Sequence, residues 1–93
     1  MRKIETLEEL ELFLKDYEEL KEIGRTLHTF HMIIFYFGEL NKKQQKKLKK
    51  LEKKAKEIAK KWGFSVVISS DSRENPIQLV DKDQPAMRLV IPL

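Results

Sequence analysis

The sequence predicts an α/β (α+β) two-layer sandwich, in which two helices pack on one face of a mixed sheet of three to four strands. Three observations favour it: two segments with apolar residues at helical spacing, an aromatic and β-branched run between them, and a C-terminal third in which apolar and polar residues alternate. The predicted order is helix, strand, helix, strand, strand, strand. The 93 residues contain no linker-like segment, so we expect a single domain over residues 1–93.

The first helix is predicted to open at a capping box, because Thr6 is followed three residues later by Glu9. The apolar residues after it recur every three or four positions, as on one face of a helix: Leu7, Leu10, Phe13, Leu14, Tyr17, Leu20 and Ile23. Gly24 comes next. Since glycine readily takes the left-handed conformation that often ends helices, we expect the helix to stop there.

Residues 25–37 are rich in aromatic and β-branched side chains, a composition typical of strands. We therefore expect one long strand that ends before Gly38. A strand, a helix and another strand in succession predict a right-handed crossover, so the long strand would run parallel to the next one. It would be apolar on both sides, with Phe30, Met32, Ile34 and Tyr36 on one side and Ile33, Phe35 and Phe37 on the other.

Asn41 and Gln44 form a second capping pair, and the helix that they open is predicted to close at Gly63. Its apolar face consists of Leu48, Leu51, Ala55, Ile58, Ala59 and Trp62. Period-two alternation then predicts three short strands, marked by Phe64, Val66 and Ile68, then Ile77 and Leu79, then Met87, Leu89, Ile91 and Leu93. Residues 71–76 and 81–85 have the Asx and proline chemistry of turns.

The residue types present argue against several kinds of chemistry. The chain has no cysteine, so it lacks disulfides and thiolate metal ligands. His28 and His31 would point to opposite faces of a strand, which disfavours a shared metal ion. The three glycines stand at element boundaries and cannot form a phosphate-binding loop, while residues 69–72 lack the elbow motif of a serine nucleophile. We expect no enzyme and no cofactor.

The N-terminal segment lacks the apolar core of a signal peptide. No apolar stretch approaches the length that a membrane helix needs, about 20 residues. We therefore expect a soluble, cytoplasmic-type protein without a membrane partner.

The net charge of +4 combines two oppositely charged segments. Residues 1–24 are rich in acids, whereas residues 39–63 hold eleven lysines and three glutamates. The two helices would therefore attract each other. The lysines that point away from the apolar stripe are most simply a solvated helix face. As an alternative, they would form a basic surface that binds nucleic acid: Lys42, Lys43, Lys46, Lys49, Lys50 and Lys53.

The apolar long strand is the strongest candidate for a binding surface. If both helices cover one sheet face, its other side joins Val67, Val80 and Val90 on an open face; at a sheet edge, its free backbone groups would pair with a partner strand. Both interpretations predict a protein-binding module. It would contact another protein, a peptide or a second copy through Thr29, His31, Ile33, Phe35, Phe37 and Arg88. A scaffold with no function beyond folding is the remaining alternative.

Two resemblances add expectations. The capping of both helices, the lysine and glutamate residues on the outer face of the second helix, and its segment at residues 53–63 resemble those of a de novo designed α/β mini-protein, a binder or a scaffold. Residues 33–37, the polar helix after them and the ending at residues 86–92 resemble the C-terminal domain of bacterial translation initiation factor three. The second resemblance implies an RNA-binding, ribosome-associated domain.

Overall fold

The structure is a computed structural model that describes residues 1–71 and 73–93. Two helices precede a three-stranded antiparallel sheet, so the chain has the α+β class that the sequence predicts. The order of elements is helix, helix, strand, strand, strand, which differs from the predicted order. The elements are α1 (Leu7–Phe37), α2 (Lys42–Lys61), β1 (Phe64–Ile68), β2 (Ile77–Asp81) and β3 (Arg88–Ile91).

The predicted long strand is wrong, because residues 25–37 form the second half of α1. The physical reason is an apolar stripe that continues at helical spacing across Gly24 and is buried along its length: Leu20, Ile23, Leu27 and Phe30. Each such buried side chain contributes about 1.5–3 kcal/mol. The whole β-propensity scale spans only about 1 kcal/mol, so the packing of the stripe outweighs the local preference for a strand.

Gly24 does not end a helix. Its φ is not positive, and a Cβ atom built on it would lie 3.8 Å from Ile77 Cδ1 of β2. The helix ends instead at Gly38, which has a φ of 89° and donates its backbone N–H to Ile34 O at 2.8 Å. A glycine therefore ends the helix, as predicted, but it is Gly38 and not Gly24.

Both predicted helix starts are confirmed. The Glu9 backbone N–H donates to Thr6 Oγ1 at 3.1 Å and opens α1. In α2 the capping box is reciprocal, since Gln44 N donates to Asn41 Oδ1 at 2.8 Å and Asn41 N donates to Gln44 Oε1 at 3.0 Å. These bonds satisfy backbone donors that have no partner within the helix itself.

The sheet is a meander in the order β1, β2, β3, with both pairs antiparallel. It is not mixed, because the strand expected to enter it in parallel is part of α1. It has three strands, where the prediction allowed three or four. Phe64 lies opposite Asp81, and Ile77 lies opposite Ile68 on one side and Ile91 on the other.

The core lies where α1 and α2 meet the inward face of the sheet. α2 packs on β1, the two helices pack on each other, and α1 contacts β3. Burial of this cluster is the main favourable term in folding. Its members are Leu20, Ile23, Leu27, Ala55, Ile58, Ala59, Trp62, Phe64, Ile77, Leu79 and Ile91.

Asp16 of α1 ties that helix to the residues that end α2. Its Oδ2 accepts from Trp62 Nε1 at 2.8 Å and from Lys61 Nζ at 3.0 Å. Burial by itself would raise the pKa of Asp16, but the hydrogen bonds from Trp62 and Lys61 hold that pKa below its ordinary value. Residues of α1 before Asp16 therefore extend past the end of α2.

Candidate interaction surface

The structure separates the residues predicted to form one protein-binding row. Thr29, His31, Ile33, Phe35 and Phe37 all lie on α1, where residues two apart point to different sides of the helix. The sixth predicted residue, Arg88, is on β3, and its guanidinium donates to Gln78 Oε1 at 3.3 Å. The alternating row of a strand is therefore replaced by side chains that surround the end of a helix.

The last turn of α1 presents four exposed apolar side chains, which we name the aromatic end: Ile34, Phe35, Tyr36 and Phe37. Phe35 is 69% exposed, Tyr36 67% and Phe37 79%. Phe35 and Tyr36 stack edge to face, with ring centroids 5.1 Å apart. The buried part of α1 ends at Phe30 and His31, so the helix carries these rings beyond the core.

An open groove of about 520 Å³ lies between the aromatic end and the connection from β1 to β2. On the connection side, Arg73 Nη2 donates to Asp71 Oδ2 at 3.1 Å. This hydrogen bonding lowers the pKa of Asp71 and raises that of Arg73, so the pair stays ionised. The groove thus has one apolar wall and one charged wall. It is lined by His31, Met32, Ile34, Phe35, Tyr36, Ser70, Asp71 and Arg73.

His31 and Thr29 are less available for contacts than the sequence predicts. His31 is only 6% exposed, and its Nδ1 has no hydrogen-bond partner among the described residues. Burial lowers the pKa of His31, the nearby His28 lowers it further, and Glu52 opposes the shift. Thr29 is exposed, but its hydroxyl donates to Arg25 O within the helix at 3.1 Å.

The six lysines predicted for nucleic-acid binding form an exposed face of α2: Lys42, Lys43, Lys46, Lys49, Lys50 and Lys53. Two other α2 lysines contact acids of α1, because Lys54 pairs with Glu19 and Lys61 with Asp16. Within residues 1–71 and 73–93, no acid lies within 4.0 Å of the six. The acids of α1 therefore pair with Lys54 and Lys61 of α2 but not with the six lysines of the exposed face.

A second exposed apolar group, which is absent from the predicted site residues, lies at the start of α1. We name it the leucine end: Leu7, Leu10 and Leu14. Leu7 is 70% exposed and Leu14 51%. The apolar positions of this segment form a stripe wider than one helix face, which is the signal that could have identified them. Only Phe13 and Tyr17 of this region pack against the core.

The outward face of the sheet carries three valines. Val67 of β1 lies opposite Gln78, which lies opposite Val90 of β3, and Val67 and Val90 are both exposed. Val80 lies opposite Ser65 and Arg88 on the same face. These side chains are separated by polar neighbours and form a smaller apolar surface than the aromatic end.

The described residues hold no cluster of three or more potential metal ligands. Ser72, which belongs to the segment considered as a nucleophile and as a turn, lies outside the described residues. Neither helix, over its described length, combines the length and apolar character needed to cross a membrane.

Comparison with known proteins finds no relative: no family model matches the chain, no curated protein matches it, and no solved structure matches it.

Proposed function

We propose that this protein is a non-enzymatic protein-binding module that contacts its partner through the aromatic end of α1. The observation that carries the proposal is the exposure of three consecutive aromatic side chains, Phe35, Tyr36 and Phe37, at the end of α1. Exposed apolar groups of this kind mark interaction sites. The proposed binding surface is thus the end of a helix, whereas the sequence predicted a sheet face or edge.

The energetics of interfaces favour this site over the others. Aromatic side chains are enriched in the centres of interfaces, and a few of them supply most of the binding energy. Phe35 and Tyr36 contact each other edge to face in the absence of a partner, so part of their side-chain ordering precedes binding. The adjacent groove adds the Asp71 and Arg73 ion pair as a polar rim.

A selection from a random peptide library displayed on phage tests the proposal. Wild-type protein serves as the target, and the Phe35→Asp/Phe37→Asp variant removes peptides that bind elsewhere. The enriched peptides are synthesised and titrated against single variants. We expect Phe35→Asp to weaken their binding at least ~10-fold, because a buried aromatic contact is replaced by a desolvated charge.

The matched control is Val67→Asp, which introduces the same charge on the exposed sheet face. Peptides that bind the aromatic end should not respond to it. Binding that is lost in Val67→Asp but kept in Phe35→Asp would overturn the proposal in favour of the sheet face. A selection that enriches no peptide specific for the wild type would count against a protein-binding function altogether.

Nucleic-acid binding is the second candidate, and the observation that favours it is the lysine face of α2 without neighbouring acids. We expect any such binding to be independent of sequence and to fall steeply between about 50 mM and about 200 mM salt, because it releases counterions. Fluorescence anisotropy with a labelled single-stranded RNA measures this. Affinity that is unchanged in a Lys46→Glu/Lys50→Glu variant would contradict the second candidate.

A further inference from the structure

We infer that the partner of the aromatic end is a second copy of this chain, docked antiparallel along α1. The inference rests on the proposed function and adds the identity of the partner. It makes Tyr36 of the aromatic end of each copy contact Leu7 of the leucine end of the other, so that one twofold-symmetric dimer joins the two exposed ends of α1.

The surface that would form this contact runs the whole length of α1. The 31-residue helix is about 46 Å long at 1.5 Å per residue, which matches the longest dimension of the molecule, 46 Å. One side of the helix carries exposed side chains from its first residue to its last turn, interrupted by the half-buried Met32. We name this side the α1 ridge: Leu7, Glu11, Leu14, Glu18, Glu22, Arg25, Thr29 and Tyr36.

Apolar groups occupy the two ends of the ridge. Leu7 and Tyr36 are about eight helical turns apart, so they point in the same direction. Leu14 and the half-buried Met32 are about five turns apart and also share a direction. A second helix laid along the ridge would therefore meet apolar side chains at both ends and charged ones in the middle.

The charges in the middle select the antiparallel orientation. Glu18 and Glu22 alternate with Lys21 and Arg25, and each base pairs with an acid of its own helix, Lys21 with Glu18 at 3.5 Å and Arg25 with Glu22 at 2.6 Å. With the twofold axis between residues 21 and 22, Lys21 faces Glu22 of the second copy, and Glu18 faces Arg25. A parallel pair in register would instead place each charged residue opposite the same residue of the second copy, and these like charges would repel each other.

The same register joins the two ends. Leu7 then faces Tyr36 of the second copy, and Leu14 faces Thr29 next to Met32. The long-range charges agree with this placement, because residues 1–24 are rich in acids whereas residues 25–37 contain none. Lys42 and Lys43, which follow the aromatic end, would lie near the acidic start of the other α1. Charge complementarity and the positions of the apolar groups thus specify one arrangement.

Sedimentation equilibrium on two complementary variants tests the inference. Leu7→Asp/Leu14→Asp disables the leucine end, and Phe35→Asp/Tyr36→Asp disables the aromatic end. We expect the wild type to dimerise and each variant alone to associate at least ~100-fold more weakly, because its symmetric dimer loses both contacts. An equimolar mixture should associate more tightly than either variant alone. In the mixed dimer, the intact aromatic end of one variant contacts the intact leucine end of the other.

Leu12→Asp is the matched control, since Leu12 is exposed on another side of α1 and its variant should dimerise like the wild type. Circular dichroism shows whether each variant keeps its helices. The orientation is tested by charge exchange: Arg25→Glu should weaken the dimer, and Glu18→Arg added to it should restore association. Failure of restoration would overturn the antiparallel register.

A wild type that stays monomeric up to about millimolar concentration would overturn the inference. So would a mixture no tighter than its components. The peptide selection distinguishes the two levels of the proposal. Peptides that need Phe35 while the chain stays monomeric would leave the proposed function standing with another partner, whereas a monomer for which no peptide is enriched would remove both.

Discussion

His31 shows how one buried side chain makes the stability of this fold depend on pH. The ring lines the same groove as the aromatic end, is 6% exposed and has an unpaired Nδ1 among the described residues. Burial is the largest cause of its lowered pKa, His28 adds to the shift, and Glu52 opposes it. The folded state therefore favours the neutral ring, because protonation would leave a poorly solvated cation inside the protein.

The pH dependence of unfolding is the first prediction. In the unfolded chain His31 binds a proton near its ordinary pKa of 6.5, whereas the folded chain binds that proton only at lower pH. Stability is therefore fully present above about pH 6.5 and decreases as the pH falls through the folded pKa. Urea unfolding of the wild type and of His31→Leu at about pH 5 and about pH 7.5 measures the effect.

His31→Leu should show a smaller pH dependence over this range, and His28→Gln, which changes the neighbouring histidine, should retain one. An equal pH dependence in wild type and His31→Leu would show that His31 is not the responsible group.

The residues of the candidate surface could be predicted only in part. Exposure of Phe35 and Phe37 was expected for one side of a strand on an open sheet face, whereas in the structure they are exposed because α1 extends beyond its buried part. The burial of His31 could not be predicted, because it depends on the α2 residues that lie opposite. Exposure of Leu7 and Leu14 depends on where α2 ends, which periodicity does not specify.

At the scale of elements, Gly24 decides whether α1 is one helix or two elements. The second prediction is that Gly24→Ala stabilises the protein by about 0.5–1 kcal/mol, because alanine is the better helix former and the backbone here is helical. The new methyl group would lie 3.8 Å from Ile77 Cδ1, an ordinary contact. Thermal or urea unfolding measures the change.

Gly38→Ala is the control with the opposite sign. Its φ of 89° is in the left-handed region, so an added Cβ should cost about 1–2 kcal/mol although no atom lies within 4 Å of it. If Gly24→Ala destabilised the protein by a similar amount, Gly24 would be in the left-handed conformation that ends a helix, and the continuous α1 would be refuted.

The fold illustrates which local signals determine structure and which do not. A capping side chain accepts its hydrogen bond from a backbone N–H only three residues further along the chain. The sequence around Thr6 and Asn41 was therefore enough to identify both helix starts. The alternation in the C-terminal third predicted three strands because each has one buried face. Residues 25–37 differ, since their helical state depends on contacts of Leu27 and Phe30 that composition does not reveal.

Over the whole molecule, α1 has a buried centre and two exposed ends. Leu20, Ile23 and Leu27 join the core, whereas the leucine end and the aromatic end contribute little to it. Substitutions at the ends should therefore change association with little effect on folding. This separation of stability from binding is expected of a helix that serves both as part of the core and as a contact surface.

Hydrogen exchange resolved by residue tests this division and provides the third prediction. Amides of residues 20–30 should exchange at least ~100-fold more slowly than those of residues 34–37 in dilute, monomeric protein, because the centre opens only with the core whereas the last turn frays. Protection should continue without a break across Gly24, as in one helix. Rapid exchange beginning at Arg25 would mean that the second half of α1 is not a stable continuation of the first half, and the single continuous α1 would then be refuted.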